Sequence, residues 1–195
     1  RKLGLSISTV SRALHDNPAI NDATKLKVTK LAKEMGYYPD ILAKSLKNNK
    51  TFTIGVIVPE ISHFFFSSVI DGIEEKTNNY GYTILVTKSN EDMKREIINT
   101  KSLISNRVAG VIASISQSTN NGLHFEQILR RGIPLVLFDR VLDNLDVPKV
   151  VGNDYESIYE IVSHLIKSGY KHIGYLGGPS NLNISKNRIN GYTKA

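Results

Sequence analysis

From residue 51 onward, short runs of β-branched and aliphatic residues alternate with longer amphipathic stretches, and this alternation constrains the fold more than any other feature. The runs typical of strands are Thr53–Val58, Tyr82–Thr87, Val108–Ala113, Leu135–Phe138 and His172–Leu176. The stretches typical of helices are Phe64–Tyr80, Asp92–Ser105, Phe125–Arg131 and Tyr155–Ser168. Strands that alternate with helices in this way predict an α/β domain, in which a parallel sheet is covered by helices.

The first 38 residues follow a different pattern, that of small helices joined by tight turns. After a turn at Gly4, Ser6 offers a hydroxyl N-cap to a helix over Ile7–Leu14. One face of this helix is apolar, with Val10, Ala13 and Leu14, and the other faces solvent, with Ile7, Ser8, Ser11 and Arg12. Asn21 caps a further helix that Gly36 ends. Together with a helix end before Gly4, these segments predict a three-helix headpiece of the helix-turn-helix kind.

The positive charge of the chain, +7 overall, is concentrated in the same N-terminal part. Residues 1–50 contain ten Lys and Arg against four Asp and Glu, whereas residues 51–195 contain fifteen against fourteen. A basic module attached to a nearly neutral domain is typical of proteins that bind a polyanion such as nucleic acid. A basic segment also fits an ordinary solvated surface, so charge alone leaves both interpretations open.

Three motifs in a fixed order carry a family resemblance. They are Ser6-Ile7-Ser8-Thr9-Val10-Ser11-Arg12-Ala13-Leu14, Gly36-Tyr37-Tyr38-Pro39-Asp40 with Ala43 and Leu46, and Ile54-Gly55-Val56-Ile57-Val58-Pro59. In order and spacing they closely resemble the lactose/galactose repressor (LacI/GalR) family of transcriptional regulators, over the whole chain. The resemblance implies a helix-turn-helix headpiece over 1–38, a hinge helix with linker over 39–51, and a partial, periplasmic-binding-protein-like sensing domain over 52–195. The first lobe of that domain would span 52–153 and a second would start over 154–195, in a chain that looks truncated at both ends.

The same resemblance implies which residues contact DNA. Ile7, Ser8 and Arg12 match base-reading positions of the recognition helix, where an arginine can bond a guanine bidentately. Positions that bond phosphates are matched by Thr9, Ser11 and Asn21. Leu46 matches the hinge leucine that family members insert into the minor groove at the operator centre. Taken alone, helix Ile7–Leu14 would equally fit a small amphipathic helix that binds no DNA.

Candidate ligand residues gather where the predicted strands end, because ligands of open α/β sheets bind beyond the carboxyl ends of the strands. They are Phe65, Phe66, Asp139, Arg140 and Asp154. Arg188 matches the arginine with which family members contact their effector, and a guanidinium can fork onto a hydroxyl pair, a carboxylate or a phosphate. The phenylalanines would also fit the core at the start of a helix, and Asp139 with Arg140 would also fit a local ion pair.

No catalytic pattern is present in the sequence. It lacks a Gly-x-Gly-x-x-Gly fingerprint, a phosphate-binding loop, a His-Glu-x-x-His motif and any cysteine. Because its five histidines are scattered, we expect neither an enzyme nor a metal or other cofactor. No apolar run is long enough to span a bilayer and no signal peptide is evident, so we expect a cytoplasmic protein without membrane contact.

These observations predict a homodimeric repressor that reads a near-palindromic operator and responds to a sugar or sugar phosphate bound between two lobes. The alternative is a periplasmic-type solute-binding receptor without DNA function, which the basic headpiece and the missing signal peptide disfavour. An α/β enzyme of unknown chemistry is a third hypothesis, disfavoured because no nucleophile, base and orienting group come together in the sequence.

Overall fold

The computed structural model describes residues 3–14, 16–37 and 51–195, and the chain divides into two compact units, Arg1–Asn48 and Asn49–Ala195. The predicted hinge helix, including Leu46, lies outside the described residues. The helix end predicted before Gly4 falls largely on residues 1–2, which also lie outside them.

The N-terminal unit contains two described helices, α1 (Ile7–Leu14) and α2 (Asp22–Glu34). Both start at the predicted caps, since Ser6 Oγ accepts a hydrogen bond from the Thr9 N–H (3.1 Å) and Asn21 Oδ1 accepts one from the Thr24 N–H (2.8 Å). Gly36, at a φ of 60°, follows the end of α2 as predicted. Apolar residues of the two helices line one groove, with Val10, Leu14, Val28, Leu31 and Ala32. Met35 also lines this groove, although it stays mostly exposed.

The C-terminal unit is built on one parallel sheet of five strands in the order β2-β1-β3-β4-β5. The strands are β1 (Thr53–Val58), β2 (Thr83–Lys88), β3 (Gly110–Ala113), β4 (Leu135–Phe138) and β5 (Lys149–Val150). The helices are α3 (Phe64–Asn79), α4 (Met93–Ser105), α5 (Leu123–Arg130), α6 (Asp154–Lys167) and α7 (Asn183–Lys194). β5 and α7 are additions to the elements that the sequence predicts.

Successive residues of β1 enter two cores on opposite faces of the sheet, as the two-residue period of a strand requires. On one face Ile57 packs in a core with Leu103 of α4 and Phe125 of α5. On the other face Val56 and Val58 pack in a core with Phe66 and Val69 of α3. Helices on both faces of a parallel sheet confirm the predicted α/β architecture.

The strand predicted over His172–Leu176 is wrong, because residues 171–179 adopt no regular structure. A strand needs a neighbouring strand to complete its backbone hydrogen bonds, and none of the described strands pairs with this segment. Its Ile173 carbonyl instead accepts a hydrogen bond from the Tyr192 hydroxyl (2.6 Å), and the Tyr192 ring stacks on Tyr175. The segment is therefore held by side chains of α7.

Candidate functional site

Helix α1 presents the exposed polar face that the sequence predicts. Ile7, at its first position, is 90% exposed, and Ser8, Ser11 and Arg12 are exposed as well. The opposite face of α1 packs on α2 with the buried Ala13 at its centre. The predicted base-reading residues are thus separated from the packing residues, as a helix that enters a major groove requires.

The predicted phosphate-contacting residues differ in their exposure and in the hydrogen bonds that their side chains make within the protein. Thr9 is half-buried, and its Oγ1 lies 2.8 Å from Ser6 Oγ. Asn21 is exposed, but its Oδ1 caps α2, so its Nδ2 is the group that can donate to a phosphate. Ser11 lies on the exposed face of α1. Asn21 therefore fits a phosphate contact better than Thr9 does.

Lys25 differs from the other lysines of α2 in being half-buried. Its Nζ lies 2.6 Å from Oδ1 of Asp16 and 3.6 Å from Oδ1 of Asp22. The hydrogen bond with Asp16 raises the pKa of Lys25 above its ordinary value. Lys25 therefore neutralises acidic groups beside α2, whereas Lys27 and Lys30 are exposed to solvent, where a polyanion can approach them.

All six predicted ligand residues meet at the carboxyl end of the sheet, and we call them the strand-end cluster. Phe65 packs edge-on against Phe66 with ring centroids 5.2 Å apart, and the Arg140 guanidinium carbon lies 5.8 Å from the Phe66 ring centroid. Arg140 follows Asp139, whose carboxyl interacts electrostatically with the side chains of Arg140, Arg188 and Asp154. These ring contacts and charge interactions connect residues from α3, α6, α7 and the loop after β4.

The two phenylalanines of the strand-end cluster have different surroundings. Phe66 is 4% exposed and packs edge-on against Phe138, with ring centroids 6.4 Å apart. Phe65 is 51% exposed, although it lies in the same first turn of α3. Phe66 thus belongs to the core beneath Arg140, and Phe65 offers the ring on which a ligand can stack.

Arg140 makes its tight ion pair with Glu91, after β2, and not with the adjacent Asp139. Nη1 of Arg140 donates to both carboxylate oxygens of Glu91, at 2.7 and 2.9 Å, whereas its Nε lies 3.9 Å from Oδ2 of Asp139. Glu91 Oε2 also accepts a hydrogen bond from the Gln117 N–H (2.7 Å). Glu91 is not among the predicted ligand residues, although the rule that ligands bind beyond strand ends, applied to β2, points to it.

Asp139 combines an uncommon backbone conformation with a perturbed carboxyl group. Its φ is 57°, and Asn90 and Glu91 after β2 have φ of 52° and 59°. Left-handed residues other than glycine are strained, and such residues cluster at functional sites. Burial raises the pKa of the Asp139 carboxyl, and the positive charges of Arg140 and Arg188 offset this rise only in part.

Asp154 and Arg188 form the second ion pair of the cluster. Nε of Arg188 in α7 donates to Oδ1 of Asp154, the first residue of α6, at 2.6 Å. The two helices approach closely at Gly191, where any Cβ would clash with the Tyr155 carbonyl oxygen. Because the Arg188 side chain stays half-exposed, its terminal nitrogens can reach a ligand.

A fully buried carboxylate, Glu96, joins the loops that follow β2 and β3. Its Oε2 accepts hydrogen bonds from the Ser116 N–H (2.7 Å) and hydroxyl (2.8 Å). Its Oε1 accepts from the Thr119 hydroxyl (2.7 Å) and from His124 Nε2 (2.8 Å). The Ser116 hydroxyl also lies 2.7 Å from Ser89 Oγ, which extends the network to the end of β2. This buried network fixes the loops that carry Glu91 and its partners.

The charges at the site nearly balance. Three carboxylates, of Glu91, Asp139 and Asp154, accompany the two guanidinium groups of Arg140 and Arg188. In the part of the chain that the structure describes, no group of three or more acidic or histidine side chains is placed to hold a metal ion. None of the described helices is both long and apolar enough to cross a membrane.

Two family models match the chain, one for each unit. Residues 1–40 match the model of bacterial regulatory proteins of the lacI family. Residues 51–195 match the model of periplasmic binding proteins and the sugar binding domain of the LacI family. The second match alone covers well over half of the chain.

Individual relatives and solved structures agree with these matches. The HTH-type transcriptional regulator RegA of Clostridium saccharobutylicum is 35% identical over 196 residues, which cover 100% of this chain and 58% of RegA. The lac repressor dimer bound to operator and the anti-inducer ONPF has a TM-score of 0.83 at 21% identity, covering 98% of this chain and 58% of that one. A periplasmic binding protein/LacI transcriptional regulator from Alkaliphilus metalliredigens QYMF, complexed with D-xylulofuranose, has a TM-score of 0.64 at 31% identity, covering 74% and 52%. The chain thus spans a little over half the length of the relatives that it matches.

Proposed function

Because the chain belongs to the LacI family of bacterial regulatory proteins, we propose that the protein is a transcriptional repressor whose binding to operator DNA is controlled by a sugar. The observation that carries the proposal is the exposed face of α1, where Ile7, Ser8 and Arg12 lie clear of the packing face. Relatives that match the whole chain are transcriptional regulators and repressors, not enzymes. A repressor acts where the DNA lies, so we place it in the cytoplasm.

In this proposal Arg12 bonds a guanine, and Ile7 and Ser8 contact neighbouring base edges in the major groove. A bidentate arginine–guanine contact contributes about 1–3 kcal/mol of discrimination against the wrong base. Phosphate contacts from Ser11 and Asn21 set the register, with Thr9 nearby, and they carry no sequence information themselves. Exposed lysines of α2 add an attraction that weakens as salt increases.

A homodimer would present two such helices to the two half-sites of a near-palindromic operator. Leu46 of each protomer would enter the minor groove at the operator centre, where contacts to bent DNA repay the cost of unstacking. The segment 41–47 is too short for an isolated helix in water. If it folds only on DNA, it supplies a two-state element that a bound sugar can bias.

The strand-end cluster favours a neutral sugar over a sugar phosphate. Both guanidinium groups are already paired with carboxylates, in the pairs Arg140–Glu91 and Arg188–Asp154. A phosphate would have to compete with these carboxylates for the guanidinium groups, whereas sugar hydroxyls can donate to carboxylates and accept from guanidinium groups in the same site. The exposed ring of Phe65 can pack on the apolar face of a sugar.

Selection of duplexes that bind the protein from a randomised pool, at near-physiological salt, tests the DNA-binding part of the proposal. We expect the intact protein to recover a near-palindrome with a flexible pyrimidine–purine step at its centre, and Arg12→Ala and Leu46→Ala to lose or degrade it. Arg131→Ala removes an exposed arginine of the C-terminal unit and is the matched control, which should recover the same sequence. Recovery of no consensus, with binding that depends only on salt, would show a generic polyanion binder.

Calorimetric titration with D-xylulose, D-ribose, D-fructose and D-glucose, each beside its monophosphate, tests the ligand class. We expect the best neutral sugar to bind at least about tenfold more tightly than its phosphate, a difference of about 1.4 kcal/mol. Tighter binding of the phosphates would contradict the charge argument. The alternative, a periplasmic-type solute-binding receptor, predicts sugar binding without operator recognition, and residues 1–40 count against it because they match the regulatory family.

A further inference from the structure

The side chain of Asn183, the first residue of α7, binds the backbone on both sides of Arg140. It is only 8% exposed. Its Oδ1 accepts a hydrogen bond from the Val141 N–H (2.9 Å), and its Nδ2 donates to the Asp139 carbonyl oxygen (3.1 Å). A residue of a neighbouring parallel strand makes the same pair of bonds, so this amide extends the bonding of the sheet beyond the end of β4. We call the two bonds the Asn183 bridge.

The Asn183 bridge belongs to the set of bonds that fix the conformation of Asp139 and Arg140. On the other side of this segment, the Arg140 carbonyl oxygen accepts a hydrogen bond from the Ile115 N–H (3.2 Å). The left-handed backbone of Asp139 costs about 1 kcal/mol or more, and such a conformation persists only where neighbouring bonds determine it. The bridge therefore helps to aim the Asp139 and Arg140 side chains into the strand-end cluster.

The helix that carries Asn183 also carries Arg188, five residues later. The ion pair between Arg188 and Asp154, together with the close approach at Gly191, makes α6 and α7 a tightly packed pair. Arg140, in contrast, follows a strand of the sheet and pairs with Glu91 at the end of another strand. The bridge is thus a direct polar link between the helix pair and the sheet, and it lies between the two ion pairs of the site.

We propose that Asn183 is a positioning residue, which couples the Arg188 side of the ligand site to its Asp139–Arg140 side. Because the bridge joins α7 to the loop after β4, a ligand that displaces Arg188 also displaces this loop. Ligand binding would then move α6 and α7 relative to the sheet. The regulatory meaning of this coupling rests on the proposed function, because the shift matters only if a ligand controls DNA binding. An amide is required because it donates and accepts at once; an aspartate in its place can accept from Val141 but cannot donate to Asp139.

Amide hydrogen exchange on the intact protein tests the coupling without any ligand. In Asn183→Asp and Asn183→Leu we expect the hydrogen-bonded Asp139 and Val141 amides to exchange about fivefold or more faster, because the loop is released. Arg188→Ala, which removes a side chain outside the bridge, should speed exchange of the same two amides through the shared helix. Asn187→Ala, an exposed position on the same helix, is the matched control and should leave them unchanged. Unchanged exchange of these amides in Arg188→Ala would overturn the coupling.

An operator-binding assay then separates a failure of the coupling from a failure of the proposed function. With the tightest-binding member of the neutral-sugar panel, the unmodified protein should change its operator affinity by about fivefold or more. Asn183→Asp should bind the operator without sugar as the unmodified protein does, but lose most of this change even at saturating sugar. A variant that melts at a lower temperature yet keeps the full response would show a purely structural role and refute the proposal. If the unmodified protein binds neither sugar nor operator, the proposed function fails, while the exchange result still decides the coupling.

Discussion

The N-terminal and C-terminal units place their candidate functional residues in opposite surroundings. Ile7, Ser8 and Arg12 lie on an exposed helix face, and the packing of α1 does not depend on their side chains. In the C-terminal unit, Arg140 and Asp154 are largely buried, and each is held by an ion pair. The candidate DNA-binding surface is left open, whereas the candidate ligand site is formed by residues that also hold the fold together.

The cores of the two units also differ, in the size of the side chains that they bury. Among the described residues, Ala13 and Val28 are the buried hydrophobic residues of the N-terminal unit, and both are small. The C-terminal unit buries larger side chains completely, including Leu103, Phe125 and Ile128. We therefore expect substitutions on the exposed face of α1 to cost little stability, and substitutions in the strand-end cluster to affect stability as well as ligand binding.

Removal of the buried carboxylate gives the largest expected effect. Glu96→Ala leaves the buried Ser116, Thr119 and His124 without their acceptor, and each buried donor left without a partner costs about 1–3 kcal/mol. Urea unfolding of the intact protein, followed by a probe in the C-terminal unit, measures this loss. Glu75→Ala, which removes an exposed glutamate of α3, is the matched control and should stay within about 0.5 kcal/mol. Similar small losses in both variants would mean that the buried network around Glu96 adds little to the stability of the C-terminal unit.

Truncation of a core leucine gives the next largest effect and compares the units directly. Leu103→Ala in α4 removes a fully buried side chain, so we expect a loss of about 2–5 kcal/mol. Leu26→Ala in α2 removes a side chain that is 73% exposed, and we expect a change within about 0.5 kcal/mol. Chemical unfolding curves with a separate probe in each unit give both values. A large loss in Leu26→Ala would mean that this leucine is covered in the intact protein.

Two substitutions of Asn21, which caps α2, distinguish its effect on the stability of the N-terminal unit from its effect on DNA binding. Asn21→Ala removes the bond to the Thr24 N–H and should destabilise this unit by about 1 kcal/mol, as judged by its thermal unfolding. Asn21→Asp retains a capping carboxylate but replaces the Nδ2 donor with negative charge. It should therefore keep the stability of the unit and weaken operator binding. If Asn21→Asp binds the operator as tightly as the unmodified protein, Asn21 makes no phosphate contact.

The two described helices of the N-terminal unit could be predicted from the sequence nearly residue by residue, because their determinants are local. The caps at Ser6 and Asn21 and the stop at Gly36 act within one helical turn, and the 3.6-residue period assigns the faces of α1. In the C-terminal unit, local sequence patterns also predict the four longer strands. They do not predict β5, because two residues are too few to show a pattern and their pairing depends on β4.

The contacts of the ligand site were less predictable, because they join residues far apart in the chain. Glu96 looks no different in sequence from the exposed Lys94 and Arg95 beside it, and only the fold brings it to His124. Asn183 lies in a segment without a clear period, and its bonds to the loop after β4 follow from the tertiary structure. Residues at strand ends could be named as candidates from the sequence, but the pairs that they form could not be predicted.

The smallest expected effect concerns Asp139, and its sign follows from the pKa. Burial raises the pKa of this carboxyl above its ordinary value of 3.8, so between the unfolded and folded pKa values the native state holds a proton that the unfolded state has lost. The free energy of unfolding therefore falls as the pH rises through this window, and the full cost of burying the charged carboxylate is present above the folded pKa.

Asp139→Asn removes the titrating group and keeps a residue type that tolerates a left-handed backbone. We expect it to be more stable than the unmodified protein at about pH 7 and equally stable below about pH 3, in urea unfolding repeated across pH. The gain should be smaller than the capping effect, because the positive charges of Arg140 and Arg188 already offset part of the cost of burial. If the unmodified protein is instead the more stable one at neutral pH, those two guanidinium groups outweigh burial, and the C-terminal unit is stabilised by its own ligand site.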